Sequence, residues 1–244
     1  LNGRTPDYLV ISHLEPDHAS NIKVVSEKYP SMKLVGNAKT FSMLPQFFPD
    51  FDFADKTVTV KEGDELELGS HKLTFIMAPM VHWPEVMVSY ESAEKVLFSA
   101  DGFGTFGALD AQEDDWACEA RRYYFNICGK YGVQVQNLLK KAAKLDIRKI
   151  CPLHGPVLDE NLGWYIGLYD IWSKYEPETD GVFIAYCSVH GNTAKAAEKL
   201  CEIIKSKTDK KVSIADLSRT DLAEDIEDAF RFSRMVVIAP SYDG

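Results

Sequence analysis

The 244-residue chain has little of what marks several common protein classes. Its cysteines, Cys118, Cys128, Cys151, Cys187 and Cys201, are odd in number and include no C-x-x-C pair. That excludes a zinc ribbon, a rubredoxin-like iron site and a secreted disulfide framework from this sequence. Basic residues are in deficit: 27 Lys and Arg stand against 37 Asp and Glu, a formal net charge of -10 with a pI near 5.1. No nucleic-acid partner is expected, because such a footprint needs clustered cations. No apolar run approaches the roughly 20 residues that span a bilayer, and no basic-then-apolar signal opens the chain. The expectation is therefore a cytoplasmic protein without membrane association. The chain opens on Leu1 rather than Met, so an original N-terminus, and any signal on it, could lie upstream.

What is present is concentrated in Ile11-Ser-His-Leu-Glu-Pro-Asp-His-Ala-Ser20. His13, Glu15, Asp17 and His18 fall within six residues, directly after the apolar run Tyr8-Leu-Val-Ile11. The run reads as a buried strand, which places the cluster at the strand's carboxyl end, where open α/β architectures hold their sites. Alternate side chains of an extended segment point the same way. His13 and Glu15 can therefore grip one ion, and Asp17 and His18 can face a second once Pro16 turns the chain. A polar loop with two surface histidines is the bland alternative. Three further positions weigh against it: His82 in Met-Val-His-Trp-Pro, Asp101 in Ser-Ala-Asp-Gly-Phe-Gly, and His154 in Pro-Leu-His-Gly-Pro, each after a strand-like run.

The rest of the first 176 residues supplies a scaffold. Helices are expected over 19–28 and 40–48, and a short strand over 32–35. Period-two alternation in 57–60, 65–68 and 72–77 predicts an antiparallel meander that delivers His82, and a hairpin of 86–90 with 95–99 delivers Asp101. His71, in a turn of the meander, reads as a solvated residue rather than a ligand. Two helices, 113–128 and 133–145, are expected on either side of Gly129 and Gly132, followed by a strand at 148–152 that presents His154 and a helix over 161–175. The polar segment Glu176-Pro-Glu-Thr-Asp180 suits a linker, so one domain is expected over 1–176 and a second over 181–244.

In the second domain the pattern is strand, loop, helix, strand, helix, strand, the opening of a parallel doubly wound sheet. Three such strands cannot bury both faces of a parallel sheet, so the domain is expected to continue beyond Gly244. Between its first strand and helix lies Ser188-Val-His-Gly-Asn-Thr193, which matches neither G-x-x-x-x-G-K-[ST] nor G-x-G-x-x-G. Small residues and hydroxyls at a helix N-terminus suit a phosphate monoester. Pro240-Ser-Tyr-Asp-Gly244 follows the third strand, with Tyr242 available to cover an isoalloxazine ring. Ser188, Val189, His190, Gly191, Asn192, Thr193, Pro240, Ser241, Tyr242, Asp243 and Gly244 together point to flavin mononucleotide (FMN) at the strand carboxyl ends.

With these residues in view, the chain resembles the flavodiiron proteins, which join a metallo-β-lactamase-like αββα domain to a flavodoxin-like one. The match rests on His-Leu-Glu-Pro-Asp-His18, His82, Ala-Asp-Gly-Phe-Gly-Thr-Phe-Gly107, Leu-His-Gly-Pro156, Tyr-Cys-Ser-Val-His-Gly-Asn-Thr193 and Ala-Pro-Ser-Tyr-Asp-Gly244. The resemblance implies that His13, Glu15 and His82 bind one iron, that Asp17, His18 and His154 bind the other, and that Asp101 bridges them. In some members the residue matching His18 turns away and water replaces it. Members carry further strands before the first ligand motif and after the third flavodoxin strand, so the chain is expected to be cut short at both ends. The resemblance also implies reduction of O2 to water, of NO to nitrous oxide, or both, with electrons passing from a rubredoxin-like or other protein donor through FMN. A head-to-tail homodimer would bring one subunit's flavin to the other's irons. Trp83, Phe103 and Phe106 are the pocket candidates that would set the gas preference.

Iron is favoured over zinc on chemical grounds. Hydrolases of this fold usually place His where Glu15 stands, and an oxygen-rich site suits iron, whereas zinc has one accessible oxidation state. The rival reading is a metallo-β-lactamase-fold hydrolase that uses a dinuclear site to activate water. It accounts for 1–176 and leaves the flavin-type loops unexplained. A non-catalytic electron-transfer flavoprotein with a dead metal site would show ligand losses, and all seven positions carry competent side chains.

Overall fold

The computed structural model describes residues 1–108 and 115–241. Tyr242, Asp243 and Gly244 of the second expected flavin loop lie outside the described residues. Two compact units emerge, residues 1–111 with 133–165 and residues 112–132 with 166–244. The sequence signal at 176–180 coincides with the approach to a strand, whereas the chain passes between units at 111/112, 132/133 and 165/166.

The first unit contains two sheets. In one, β1 (Tyr8–Val10), β2 (Lys33–Asn37) and β3 (Thr57–Val60) run parallel in that order. The other has the order β4 (Glu65–Leu68), β5 (His71–Met77), β6 (Met87–Glu91), β7 (Val96–Phe98), β8 (Lys149–Cys151), antiparallel except for the parallel β7–β8 pair. The expected meander thus begins one strand later than its alternation suggests, because Thr57–Val60 pairs with Leu34–Asn37. Val35, Val60, Leu73, Phe75 and Met87 form a buried core cluster drawn from both sheets. Full burial of a side chain such as Phe75, which is 0% exposed, contributes about 1.5–3 kcal/mol.

Helices cover the other face of the parallel sheet. After β1 come α1 (Pro16–Ala19) and α2 (Ile22–Lys28), two pieces where one helix over 19–28 is expected, and β2 leads into α3 (Ala38–Phe47). Ile11, Leu14, Ile22, Leu34, Leu44 and Phe53 belong to a second core cluster. Asn37 caps α3, its side chain accepting from the Lys39 and Thr40 amides at 3.0 Å each.

The second unit recruits more than the expected second domain. Its sheet has the order β10 (Lys211–Asp216), β9 (Thr179–Tyr186), β11 (Phe232–Ile238), all parallel. The helices α7 (Asn192–Lys207) and α8 (Leu222–Arg231) provide the crossovers. Joined to this unit is α4 (Trp116–Tyr123), which runs into a π-helical turn at Tyr124–Cys128 and a 3-10 turn at Gly129–Tyr131. Gly129 and Gly132 therefore do not break the chain's helical course, and α5 (Gly132–Ala142) follows at once. Arg121 of α4 is only 2% exposed and holds Glu178 through two bonds of 2.8 and 3.0 Å and Glu227 of α8 through one of 2.7 Å. Most of α6 (Leu162–Ser173) also lies in this unit, and its Trp172 indole donates to Glu178 at 2.9 Å.

Candidate metal centre

Backbone geometry explains how one short loop can face two ions. His13 and Glu15 lie on the extended exit from β1, and Pro16 then occupies the first turn of α1, a position that suits its fixed φ and missing N–H. From there the chain is helical, the His18 and Ala19 amides both donating to the Glu15 carbonyl at 3.0 and 2.9 Å. Glu15 is the N-cap of α1, yet its carboxylate caps nothing and instead meets His82 Nε2 at 3.0 Å.

Two donor sets result. Ligand atoms of His13, Glu15, His82 and Asp101 lie within 4.8 Å of one another, and so do those of Asp17, His18 and His154. Asp101 stands between the sets. Its Oδ2 lies 3.1 Å from His13 Nε2 and 3.6 Å from His82 Nε2, while its Oδ1 lies 3.1 Å from His18 Nε2 and 3.9 Å from His154 Nε2. The second set is closed by His154 Nε2, 3.1 Å from Asp17 Oδ2 and 3.0 Å from His18 Nε2. His18 thus faces inward. His71 stands apart, pairing its Nδ1 with Glu91 Oε1 at 3.3 Å.

The electrostatics are those of a site that gathers cations. Burial opposes charge on His13, but its hydrogen bond to Asp101 and the charges of Asp101, Glu15 and Glu85 raise its pKa nonetheless. Burial lowers the pKa of His18, helped by the neighbouring His13 and His154 and opposed by Asp101 and Asp17. Burial alone would raise the pKa of Asp101, and hydrogen bonds to His13 and His82 instead hold its carboxyl far below the ordinary carboxylate range. Imidazole nitrogens and carboxylate oxygens converge in equal company, the mixed donor chemistry that divalent first-row metals take. The residues present fit such a pair of ions.

Tight packing fixes the Asp101 and His154 loops against each other. Gly155 has φ +81°, and a Cβ there would meet Thr105 Oγ1 at 2.4 Å and the Thr105 backbone nitrogen at 2.9 Å. A Cβ on Gly104 would meet the Asp101 and His154 carbonyl oxygens at 3.0 and 3.1 Å. Of the pocket candidates, Phe106 lays its ring on His154 with centroids 4.4 Å apart, and Trp83 lies beside His82 and Phe47. Phe103 is buried with φ +67°. Sequence reasoning missed Glu85 and Asn37, which tie the ligand loops to the sheet; the adjacency of Glu85 to His-Trp-Pro was the one available signal.

In the second unit, Cys187 and Leu217 mark a divergence beyond the strand ends. The Cys187 amide donates to Ile238 of β11 at 3.1 Å, and the Leu217 amide donates to Tyr186 at 2.8 Å. The loops after β9 and β11 accordingly leave neighbouring strands at one end, where the strand order reverses. Gly191, with φ 82°, starts α7 without a side-chain cap, and its amide donates to Ser188 Oγ at 3.0 Å. A helix start without a side-chain cap suits a phosphate.

A two-sheet unit with paired donor sets at its strand ends, followed in one chain by a flavodoxin-like parallel sheet, defines a metallo-β-lactamase-like flavoprotein class. Residues 3–155 match the model of the "ODP family beta lactamase". The chain is 31% identical over 239 residues to a nitric oxide reductase of Moorella thermoacetica, covering 91% of this chain and 58% of that protein. It is 31% identical over 225 residues to diflavin flavoprotein A 1 of Synechocystis sp., covering 89% of this chain and 39% of that protein. Among solved structures, rubredoxin oxygen:oxidoreductase from Desulfovibrio gigas superposes with a TM-score of 0.86 at 28% identity, over 97% of this chain and 61% of that one. The flavodiiron protein from Giardia intestinalis shares the fold, with a TM-score of 0.87 at 24% identity over 97% and 59%. The chain belongs to the ODP family of beta-lactamase-fold proteins, within the flavodiiron group. It spans between about two fifths and three fifths of the length of these relatives.

Proposed function

We propose that this protein is a flavodiiron oxidoreductase that reduces O2 to water, NO to nitrous oxide, or both, with electrons passing from a protein donor through FMN to a non-haem diiron site. The observation that carries the reading is Asp101, whose two oxygens face two separate donor sets at 3.1 Å each. A bridging carboxylate of this kind suits two ions sharing one reaction. Iron would supply reversible one-electron change at each position, and FMN would supply electrons singly from a two-electron store.

His13, Glu15 and His82 would hold the first ion, Asp17, His18 and His154 the second, with Asp101 shared. Three carboxylates then offset most of the charge of two divalent ions, and their hardness favours iron. Phe106, tilted against His154, and the buried Phe103 would exclude water from the approach to the ions, with Trp83 beside His82. A small diatomic gas needs no polar recognition, so this apolar wall is the element that would discriminate between O2 and NO. Ser188 to Thr193 would hold the FMN phosphate at the start of α7, and Pro240 to Gly244 would border the ring. A rubredoxin-like donor, a head-to-tail homodimer and a cytoplasmic location belong to the same reading. Among the described residues no helix is long and apolar enough to cross a membrane.

The test is direct. Full-length protein carrying iron and FMN should consume O2 or NO when supplied with a reduced donor, and its visible spectrum with metal analysis should report flavin and two irons per chain. Inactivity toward both gases would reject the assignment, and zinc without flavin would return the hydrolase reading.

A further inference from the structure

Glu85 is a buried carboxylate that none of the ligand roles above uses. It is 1% exposed and sits three residues beyond His82. Its Oε1 accepts the amide of Leu14 at 2.8 Å, the residue between His13 and Glu15. On the other side of His13, the Ser12 carbonyl accepts from the Met87 amide at 2.9 Å. The strand exit carrying His13 is therefore tied on both flanks, to the loop carrying His82 and to the start of β6 that follows it. Glu85 is itself anchored, because Asn37 Nδ2 donates to its carbonyl at 2.6 Å while Asn37 Oδ1 caps α3. The chain of bonds runs from a helix start to the middle of the ligand loop.

The second carboxyl oxygen adds a separate consideration. Glu85 Oε2 is buried without a hydrogen-bond partner among the described residues. Leaving a buried acceptor unmet is costly, and an acceptor for Leu14 alone would not need that oxygen. What the carboxylate adds over a neutral acceptor is charge, held 2.8 Å from the backbone amide that separates His13 from Glu15.

We propose that Glu85 is the positioning residue of the first donor set: through the Leu14 amide it fixes the spacing of His13 and Glu15, and its charge beside that loop favours the more highly charged state of the bound metal. The inference rests on the diiron reading. It is tested by anaerobic titration of the full-length protein with ferrous iron against a competing chelator, counting iron per chain, and by redox titration of the loaded centre. Glu85→Leu, which keeps the bulk and loses the acceptor, is expected to weaken one of the two irons by about 10–100-fold, the range for outer ligand-orienting groups, and to leave the other in place. Glu85→Gln keeps an acceptor for Leu14 and loses the charge; it should retain both irons and shift the midpoint potential to more positive values. Wild-type affinity for both irons in Glu85→Leu, or a wild-type midpoint in Glu85→Gln, overturns the inference. Should Glu85→Leu fail to fold by circular dichroism, the midpoint of Glu85→Gln decides alone. Wild-type protein that binds no iron pair overturns the diiron reading itself, and that arm involves no variant.

Discussion

At the scale of single residues, Asp101 and His18 carry different burdens even though they lie 3.1 Å apart. Asp101 offers Oδ2 to the His13 side and Oδ1 to the His18 side, whereas His18 offers one nitrogen to one side only. Loss of a shared ligand should therefore be felt by both ions and loss of an unshared one by a single ion. Asp101→Ala is expected to drop iron from about two per chain to well below one, consistent with a dinuclear site sharing a central carboxylate. His18→Ala is expected to retain one iron and lose the other. Iron determination after gel filtration measures both, and equal losses in the two variants would show that Asp101 does not span the sets. The pattern of residue types at 13, 15, 17 and 18 was open to view in the sequence because ligand-type side chains are dense there and follow an apolar strand. The role of Glu85 was not. It depends on a bond to Leu14 across 71 positions, and no local spacing encodes such a bond.

At the scale of elements, the membership of α4 in the second unit follows from buried charge. Arg121 faces Glu178 and Glu227 in the interior, with Trp172 donating to Glu178. Burial opposes ionisation of Glu178, but the hydrogen bonds from Arg121 and Trp172 win and lower its pKa, while burial raises that of Glu227 despite Arg121. A lowered carboxyl pKa contributes stability above the ordinary glutamate value, about 4.3, and loses it as pH falls through the folded value. A raised one acts with the opposite sign. Arg121→Met removes the compensation from both, so both carboxyls should become harder to ionise. The expected cost is about 3–5 kcal/mol at neutral pH, the range for breaking a buried pair, and it should shrink as pH falls toward the glutamate value and protons neutralise the orphaned groups. Urea denaturation of both proteins at neutral and acid pH measures it; a cost that grows on acidification would contradict the assignment. Sequence periodicity found α4 as a helix but could not say which sheet it serves, because its partners lie 57 and 106 positions away. The same limit explains β3. Thr57–Val60 alternates as β4 and β5 do, and alternation specifies a half-buried strand without naming the neighbour it pairs with.

At the scale of the whole molecule, the chain passes three times between two units. All seven candidate ligands fall in the unit of residues 1–111 and 133–165, and the loop 188–193 falls in the other. A ligand that binds only the folded form stabilises the unit that holds it, by an amount set by its concentration relative to its affinity. Metal and flavin should therefore protect different stretches of backbone. Hydrogen exchange of the holoprotein is expected to show that stripping iron with a chelator speeds exchange in peptides covering 8–19, 78–87 and 98–106, and leaves 179–187 unchanged. Removing FMN should do the reverse, exposing 187–194 and sparing the first set. The segment 115–132 provides the sharper check, since in sequence it lies between Asp101 and His154 but it belongs to the unit that contains 188–193. Its exchange should not respond to the chelator. A rise there equal to that of the ligand loops would mean that the unit division fails in solution and that iron supports both units.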